Sequence, residues 1–240
     1  MLMRFSHVVV EGPIGVGKTT LATALARHWG ARAVLERPEH NPFLERFYAH
    51  GAGRDNPYAL QTQLSFLFQR VEQMRDLGQA GVFETGVVSD FLFAKDSLFA
   101  MLNLGDDDLA LYRQIYRREQ QRLPEPDLVI WLQAEPDVLL NRIRTRGRPM
   151  EQGGAPGAGI GEDYLERLNE AYRQFFTSYR GAPVLAVNVE AFHPAERPVD
   201  WQRLLDAIAG FEGPFAYLDP ADLGDGSLSA SFGPAARQPQ

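Results

Sequence analysis

The stretch "GPIGVGKT", from Gly12 to Thr19, decides the fold of this 240-residue chain. It matches the pattern G-x-x-x-x-G-K-[ST], in which glycines let backbone N–H groups turn inward around phosphate oxygens. An apolar run, "HVVVEG", leads into it and a helical pattern, "KTTLATALARHWG", follows, so the loop lies between a strand and a helix. We therefore predict that Lys18 reaches the β- and γ-phosphates of a nucleotide and that the Thr19 hydroxyl ligates Mg²⁺. The predicted nucleotide-binding residues are Gly12, Pro13, Ile14, Gly15, Val16, Gly17, Lys18, Thr19 and Thr20.

Strand patterns and helix patterns alternate along the rest of the chain. Because such alternation is typical of parallel sheets covered by helices, we predict an α/β fold with a five-stranded parallel sheet sandwiched by helices. The segment from residue 214 to 240 is rich in Gly, Pro, Ala and Ser and has weak periodicity, so we expect a flexible tail after a single domain of residues 1–213. The five predicted strands lie in "HVVVEG", "ARAVLE", "GVFETGVVSD", "DLVIWLQ" and "APVLAVNV".

The composition limits the classes of partner. The chain has a net charge of −7, which argues against general affinity for nucleic acid. It contains no cysteine, which excludes disulfides and cysteine-ligated metal centres. The first residues leave no room for a signal peptide, and no apolar run approaches membrane-spanning length. We therefore expect a cytoplasmic protein with no nucleic-acid or membrane partner. Among 24 basic residues only Lys18 and Lys95 are lysines, which makes the position of each lysine informative.

The motifs of other P-loop classes are missing. A regulatory GTPase needs Asp-x-x-Gly and Asn-Lys-x-Asp motifs, and neither occurs. A motor-type ATPase carries an apolar strand that ends in Asp-Glu, whereas "DLVIWLQ" ends without an acid. The remaining class is the small-molecule kinases, which close an arginine-bearing lid over the phosphates.

The stretch "RIRTRGRPMEQGG", residues 142–154, fits such a lid, which we place at about residues 142–160. Arg142 and Arg146 are four residues apart and share one helix face, and Arg148 follows Gly147. We expect these three arginines to clamp the phosphates, whereas Arg144 projects elsewhere.

A kinase for a hydroxyl substrate also needs a proton acceptor near that hydroxyl. Glu36 follows the second predicted strand, and Glu84 closes the third in "VFETG". In a parallel sheet both acids lie at the carboxyl edge, where the phosphate loop also opens. We therefore expect two carboxylates near the phosphates.

These motifs, in this order, resemble the deoxynucleoside kinase family, in particular its bacterial deoxyadenosine/deoxyguanosine kinase branch. The resemblance runs from about residue 6 to about residue 210. It implies a P-loop kinase fold, ATP as phosphate donor, Mg²⁺, a small-molecule deoxynucleoside as acceptor, and a homodimer. The segments that carry it are GPIGVGKTT, LERPEHNPFLERFY, QTQLSFLFQR, FETGVVSDFLF and RIRTRGRPMEQG.

The resemblance also implies roles for single residues that contact the nucleoside. Glu36 matches the base that takes the proton from the 5′-hydroxyl, and Tyr48 and Glu151 match residues that hold the 3′-hydroxyl. Tyr58 is the alternative to Tyr48, since "YAHGAGRDNPY" allows either alignment. The residues that match those reading the base are Gln63, Arg70 and Asp90. Gln63 and Arg70 are seven residues apart and share one helix face.

At the phosphates, the resemblance makes Arg142, Arg146 and Arg148 the lid arginines over the triphosphate. It makes Glu84 the acid that helps Thr19 to hold Mg²⁺. The chain departs from many family members directly after that acid, because Thr85 stands where they carry an arginine. We expect that either the lid arginines or Arg37 compensate, or that the protein is slow.

Together these observations predict ATP-dependent phosphorylation of the 5′-hydroxyl of deoxyguanosine or deoxyadenosine. Two alternatives remain open: a kinase that prefers deoxycytidine or another pyrimidine deoxynucleoside, and a slow P-loop protein with a regulatory, nucleotide-binding role.

Overall fold

The computed structural model describes residues 4–78, 86–120, 123–148, 151 and 159–218. Its centre is a six-stranded sheet in the order β2-β3-β1-β4-β5-β6. Every neighbouring pair of strands is parallel. The strands are β1 (His7–Glu11), β2 (Arg32–Val34), β3 (Val87–Ser89), β4 (Leu128–Gln133), β5 (Val184–Asn188) and β6 (Phe215–Leu218).

Helices flank this sheet, as the alternating sequence pattern predicts. Short 3₁₀ turns cover Pro38–His40 and Phe93–Lys95. No helix in the described part of the chain is both long and apolar enough to span a bilayer. The helices are α1 (Lys18–Trp29), α2 (Leu44–Ala49), α3 (Ala59–Gly78), α4 (Asp96–Asn103), α5 (Asp106–Gln120), α6 (Pro136–Arg146), α7 (Glu162–Ser178) and α8 (Pro198–Ala209).

The two central strands explain why the sheet is covered on both faces. Val8, Val9 and Val10 of β1 are almost completely buried, and so is the run from Leu128 to Ile130 in β4. A strand that is apolar at successive positions has no face suited to water, so it needs helices on both sides. Most of the buried apolar residues form one cluster around these strands, and a smaller cluster packs at β2 and β3: Val34, Met74, Leu77, Val87 and Phe91.

The structure corrects the strand count and the start of the tail. β6 lies within the segment expected to be flexible and pairs with β5 from Val184 to Val187. Ala216 and Leu218 of β6 are buried, and the residues that alternate with them are half-buried. A strand of four residues at the edge of a sheet is too short to produce a clear sequence pattern. The domain thus extends to Leu218, and residues 219–240 lie outside the described part.

The third strand also differs from the prediction. β3 begins at Val87, after Gly86, which adopts a left-handed backbone with φ of 80°. Glu84 therefore precedes the strand and does not close it, and Glu84 itself lies outside the described residues. The acid at the carboxyl end of β3 is Asp90. The apolar residues on both sides of Gly86 made the position of the strand ambiguous in the sequence.

Candidate active site

A cavity of about 750 Å³ opens at the carboxyl edge of β1, β2 and β3. Parallel strands bring their following loops to one edge, so residues distant in sequence meet there. Most of the predicted site residues line this cavity: Ile14, Gly15, Lys18, Thr19, Glu36, Tyr48, Gln63, Arg70, Asp90, Arg146, Arg148 and Glu151.

The phosphate loop packs tightly on its neighbours, and two of its glycines are required for that reason. A Cβ atom on Gly12 would lie 2.5 Å from the carbonyl oxygen of Leu132 in β4. A Cβ atom on Gly15 would lie 2.8 Å from the side chain of Ile143 in α6. Both glycines also have φ values that side chains disfavour, 151° and 85°. The loop is thereby fixed against the helix that leads into the lid.

Lys18 begins α1 and faces the loop itself. Its Nζ donates hydrogen bonds to the carbonyl oxygens of Gly12 at 2.8 Å and Pro13 at 3.1 Å. Burial and the nearby charge of Lys95 lower the pKa of Lys18 to about 8. Phosphate oxygens in the cavity would favour the charged form of this lysine, since an opposite charge stabilises the ammonium.

Glu36 follows β2 and lies among cations. The guanidinium of Arg70 contacts its Oε1, with Nε at 3.0 Å, and the Nζ of Lys95 lies 3.8 Å from the same oxygen. Burial alone would raise the pKa of Glu36, but the charges of Arg70, Lys95 and Lys18 outweigh burial and lower the pKa to about 2. The carboxylate is therefore ionised at neutral pH.

The structure places Asp90 elsewhere than the sequence analysis did. Its Oδ2 accepts a hydrogen bond from the Thr19 hydroxyl at 2.5 Å, and its Oδ1 accepts one from the backbone N–H of Glu36 at 2.6 Å. Burial raises the pKa of Asp90. The implied pairing of Asp90 with Arg70 is therefore wrong, because Asp90 lies beside the phosphate loop.

The acid that pairs with Arg70 is Asp96, the first residue of α4. The carboxylate of Asp96 contacts the Nη1 of Arg70, and both side chains are buried. Arg70 also lies over the ring of Phe66, with its Cζ 5.1 Å from the ring centroid. A buried guanidinium of this kind needs charged partners, and Asp96 and Glu36 supply them.

Polar and aromatic residues line the wall opposite the phosphate loop. Gln63 is buried on the same face of α3 as Arg70, about two turns before it, and it borders the cavity. Tyr48 borders the cavity as well, whereas Tyr58 stacks edge-on against His50 and does not. Burial raises the pKa of Tyr48 well above its ordinary value, so its phenol stays protonated. The geometry therefore favours Tyr48 over Tyr58 as the sugar-binding candidate.

The lid residues form a cluster of charges at the mouth of the cavity. Glu151 is buried and contacts two arginines, with Nη2 of Arg146 at 2.5 Å and Nη1 of Arg148 at 3.6 Å. Gly147 ends α6 in a left-handed conformation with φ of 68°, which turns the chain between the two arginines. The two lid arginines are thus paired with the lid's own acid.

Arg142 takes a different direction from Arg146. Its Nη2 donates a hydrogen bond to the carbonyl oxygen of Val189 at 2.6 Å, and it lines a second cavity of about 250 Å³. Five residues of the phosphate loop and α1 border that second cavity: Gly15, Val16, Gly17, Thr20 and Leu21. The expected clamp of three arginines is therefore divided between the two sides of the loop. Arg144 is exposed, consistent with its expected projection away from the site.

The oxygen atoms of Thr19 and Asp90 offer a donor set suited to Mg²⁺ at the loop. Carboxylate and hydroxyl oxygens are ligands that Mg²⁺ prefers, usually together with substrate phosphates and waters. Among the described residues there is no group of three or more His, Cys, Asp or Glu side chains arranged to hold a metal. The residues thus fit an ion that is bound partly by the nucleotide.

Three buried residues near the cavity escaped the sequence analysis: Glu11, Lys95 and Asp96. Lys95 is one of two lysines in the chain, and that rarity was the signal that could have singled it out. Asp96 follows it directly. Glu11 precedes the phosphate loop and resembles an ordinary strand end in the sequence.

Comparison with known proteins adds a family assignment to this geometry. The profile of the family described as "Deoxynucleoside kinase" matches residues 8–211. A deoxyguanosine kinase of Bacillus subtilis (strain 168) is 35% identical over 168 residues, which cover 69% of this chain and 75% of the relative. A deoxyadenosine/deoxycytidine kinase of the same organism is 29% identical over 212 residues, covering 85% of this chain and 92% of the relative.

A solved structure shares the fold. The deoxyadenosine kinase from M. mycoides with bound dATP superposes with a TM-score of 0.67 at 21% identity. The superposition covers 85% of this chain and 99% of that structure. At this level of identity the likeness concerns the arrangement of strands and helices.

Proposed function

This chain belongs to the deoxynucleoside kinase family, and from that premise we propose that it transfers the γ-phosphoryl group of ATP to the 5′-hydroxyl of a purine deoxyribonucleoside. The products are ADP and the deoxynucleoside 5′-monophosphate. The preferred acceptors are deoxyguanosine and deoxyadenosine, and the reaction serves nucleotide salvage.

The observation that carries the purine proposal is the buried pair Arg70–Asp96 beside Gln63. Arg70 offers N–H donors to the cavity, and the amide of Gln63 offers one donor and one acceptor. A base edge that carries both donors and acceptors, such as that of guanine or adenine, can satisfy both side chains. The base edge of thymine carries fewer donors, and buried donors or acceptors without partners cost affinity.

In the proposed reaction Glu36 accepts the proton of the 5′-hydroxyl. The hydroxyl oxygen forms a bond to the γ-phosphorus while the bond between that phosphorus and the bridging oxygen of ADP breaks. Since phosphoryl transfer has a loose transition state, the proton leaves late, and a weakly basic carboxylate that orients the hydroxyl is adequate. The pKa of about 2 for Glu36 is compatible with such a role.

Positive side chains neutralise the charge that develops on the phosphoryl oxygens. Lys18 reaches the phosphates from the loop, and Arg146 and Arg148 reach them from the lid. We further propose that Thr19 and Asp90 hold Mg²⁺ with the nucleotide. That ion supplies charge neutralisation at the β- and γ-phosphates. Tyr48 and Glu151, at the lid side of the cavity, are proposed to bind the 3′-hydroxyl.

A deoxycytidine kinase remains the second candidate, for one specific reason. The relative with the larger coverage is named a deoxyadenosine/deoxycytidine kinase. Cytosine, like adenine, carries an exocyclic amino group beside a ring-nitrogen acceptor, whereas thymine has a carbonyl oxygen in place of that amino group. Gln63 and the Arg70–Asp96 pair therefore suit cytosine better than thymine.

The test is steady-state turnover of the four deoxynucleosides with ATP and Mg²⁺. We expect the highest kcat/KM for a purine deoxynucleoside and the lowest for thymidine. A highest kcat/KM for deoxycytidine would replace the purine assignment by the second candidate. Binding of ATP without turnover of any deoxynucleoside would contradict the catalytic proposal as a whole.

We also propose that the protein is a homodimer in the cytoplasm. Phe68 on α3 and Leu111 on α5 are large apolar side chains that are about half exposed, on helices that pack against each other. The cysteine-free sequence is compatible with a reducing compartment. Sedimentation equilibrium tests the dimer, and Phe68→Glu is expected to yield monomers; a monomeric wild type contradicts the proposal.

A further inference from the structure

Lys95 is a buried cation for which the reaction above has no use. Its side chain is 2% exposed and lies at the end of the 3₁₀ turn that leads into α4. Burying an ammonium group is costly unless it is paired with opposite charge. The chain carries only one other lysine, in the phosphate loop.

The first partner of Lys95 is Glu11, which is itself rigidly held. Both carboxylate oxygens of Glu11 lie 3.3 Å from the Nζ of Lys95. Glu11 also accepts hydrogen bonds from the backbone N–H of Gly12 at 2.8 Å, the backbone N–H of Leu92 at 2.7 Å, and the hydroxyl of Tyr172 at 2.9 Å. Glu11 therefore fixes Lys95 relative to the phosphate loop.

The second partner of Lys95 is Glu36. The Nζ of Lys95 lies 3.8 Å from Oε1 of Glu36, and the guanidinium of Arg70 contacts the same oxygen. Among the described residues, the hydrogen bonds to the Glu36 carboxylate reach Oε1 and not Oε2. The two cations thus hold one carboxylate oxygen and leave the other for an incoming hydroxyl.

The two cations differ in what else they do. Arg70 borders the part of the cavity that we assign to the nucleobase, so a bound base competes with Glu36 for its N–H groups. Lys95 borders the cavity too, but among the described residues its one other ion pair is with Glu11, beside the phosphate loop and away from the base-binding wall. When a base engages Arg70, Lys95 is the cation that stays with Glu36.

We propose that Lys95 is a positioning residue for Glu36: anchored by Glu11, its ammonium holds Oε1 so that Oε2 faces the substrate hydroxyl. This inference rests on the proposed role of Glu36 as proton acceptor. The competing explanation is that Lys95 only neutralises the buried carboxylate of Glu11. The two explanations predict different kcat values for a variant that lacks the charges of both Glu11 and Lys95.

The decisive variant is therefore the double substitution Glu11→Gln with Lys95→Met, compared with Glu11→Gln alone. Methionine keeps the length of the side chain without charge, and the double variant buries no unpaired carboxylate at residue 11. We expect the double variant to fold but to lose about 10²-fold in kcat, since a misplaced reacting group costs about that much. The KM for the deoxynucleoside should change little, because the base and sugar contacts remain. A double variant with the kcat of Glu11→Gln would overturn the proposal.

A second experiment uses the absence of cysteine and separates charge from side-chain size. In the Glu11→Gln background, Lys95→Cys is alkylated in denaturant and refolded, either with 2-bromoethylamine, which restores an ammonium, or with iodoacetamide, which adds a neutral amide. Restored kcat with the ammonium alone is the expected result. Equal kcat for the two alkylated proteins would contradict a role for the charge.

Crystal structures of Glu11→Gln and of the double variant give a readout independent of turnover. We expect the Glu36 carboxylate to shift by about 1 Å or more in the double variant, the displacement at which catalysis suffers. An unchanged carboxylate in the double variant would overturn the positioning role even in an active enzyme. If the wild type turns over no deoxynucleoside and the carboxylate still shifts, the kinase proposal fails while the positioning role of Lys95 stands.

Discussion

At the scale of single residues, Glu36 is the side chain on which the proposed chemistry depends. Glu36→Gln keeps the size of the side chain but cannot accept a proton. We expect kcat to fall by about 10²- to 10⁴-fold, the usual contribution of a positioned base, while the KM for ATP changes little. Single-turnover kinetics with ATP and deoxyguanosine measure the effect.

The matched control for that variant is Glu45→Gln, an exposed acid on α2 that does not border the cavity. It should leave kcat at the wild-type value. A kcat for Glu36→Gln within a few-fold of the control would show that another group accepts the proton.

Asp96 and Asp90 make a second prediction, because they lie on different sides of the cavity. Asp96→Asn weakens the partner of Arg70, so it should change the ratio of kcat/KM values among the deoxynucleosides. Loss of a hydrogen bond between charged groups is worth about 1.5–3 kcal/mol, or about 10- to 100-fold. Asp90→Asn acts at Thr19 and should lower kcat for every deoxynucleoside to the same degree. If the two variants change the ratio equally, the base-reading pair is misassigned.

The two aspartates also mark what sequence reasoning can and cannot locate. Lys18 and Glu36 were predictable because a loop pattern and a strand end fix their positions. Asp90 and Asp96 are six residues apart, and the sequence alone does not show which of the two pairs with Arg70. The 3₁₀ turn at Phe93–Lys95 lies between them and leads into α4, whose first residue, Asp96, is the one that contacts Arg70. The spacing of residues carries no information about the direction of that turn.

At the scale of elements, the lid offers a prediction about charge. Glu151 forms ion pairs with Arg146 and Arg148, so Glu151→Gln should free both arginines to bind the phosphates. We expect a lower KM for ATP and, because Glu151 is proposed to hold the sugar, a higher KM for the deoxynucleoside. Steady-state kinetics at varied concentrations of each substrate separate the two effects.

Glu170→Gln serves as the control for the lid variant. Glu170 lies on α7, is exposed, and is paired at the surface with Arg173. Exposed pairs of this kind contribute about 0–1 kcal/mol, so neither KM should change. A rise in both KM values for Glu151→Gln would mean that Glu151 stabilises the lid in its binding conformation and does not compete with ATP for the two arginines.

β6 gives a second prediction at this scale, since the sequence suggested a loose tail there. Leu218 is 3% exposed at the end of the strand. Leu218→Ala should lower the free energy of unfolding by about 2–5 kcal/mol, as for other buried leucines. Val199→Ala, at a position that is 64% exposed, should change it by no more than about 0.5 kcal/mol. Urea unfolding of both variants measures the difference, and equal stabilities would exclude β6 from the core.

At the scale of the whole molecule, alternating strands and helices predicted the parallel sheet and its helical layers, and this fold class is confirmed. The order of the strands was beyond the sequence pattern. β1 lies between β3 and β4, so its neighbours come from residues about 80 and 120 positions away. A continuous apolar run indicates a strand that is buried on both faces, and the sequences of β1 and β4 contain such runs. Which strands become neighbours depends on the packing of helices across the sheet.

His7 links three parts of that sheet and makes stability depend on pH. It is 1% exposed in β1, its Nε2 lies 2.9 Å from the hydroxyl of Ser89 in β3, and its backbone N–H donates to Asp127 before β4. Burial lowers the pKa of His7 to about 4, although the charge of Asp127 acts in the opposite direction. Between pH 6.5 and 4, His7 is therefore protonated in the unfolded chain but neutral in the folded protein.

The stabilisation from neutral His7 is complete above about pH 6.5 and is lost progressively as the pH falls toward 4. The lowering of the His7 pKa from 6.5 to about 4 corresponds to about 3 kcal/mol of stabilisation. His7→Gln removes this proton uptake, so its free energy of unfolding should fall less steeply between pH 7 and pH 5 than that of the wild type. His40→Gln, at an exposed position, should keep the wild-type slope. Parallel slopes for wild type and His7→Gln in urea titrations would show that the acid sensitivity of the sheet arises at other groups.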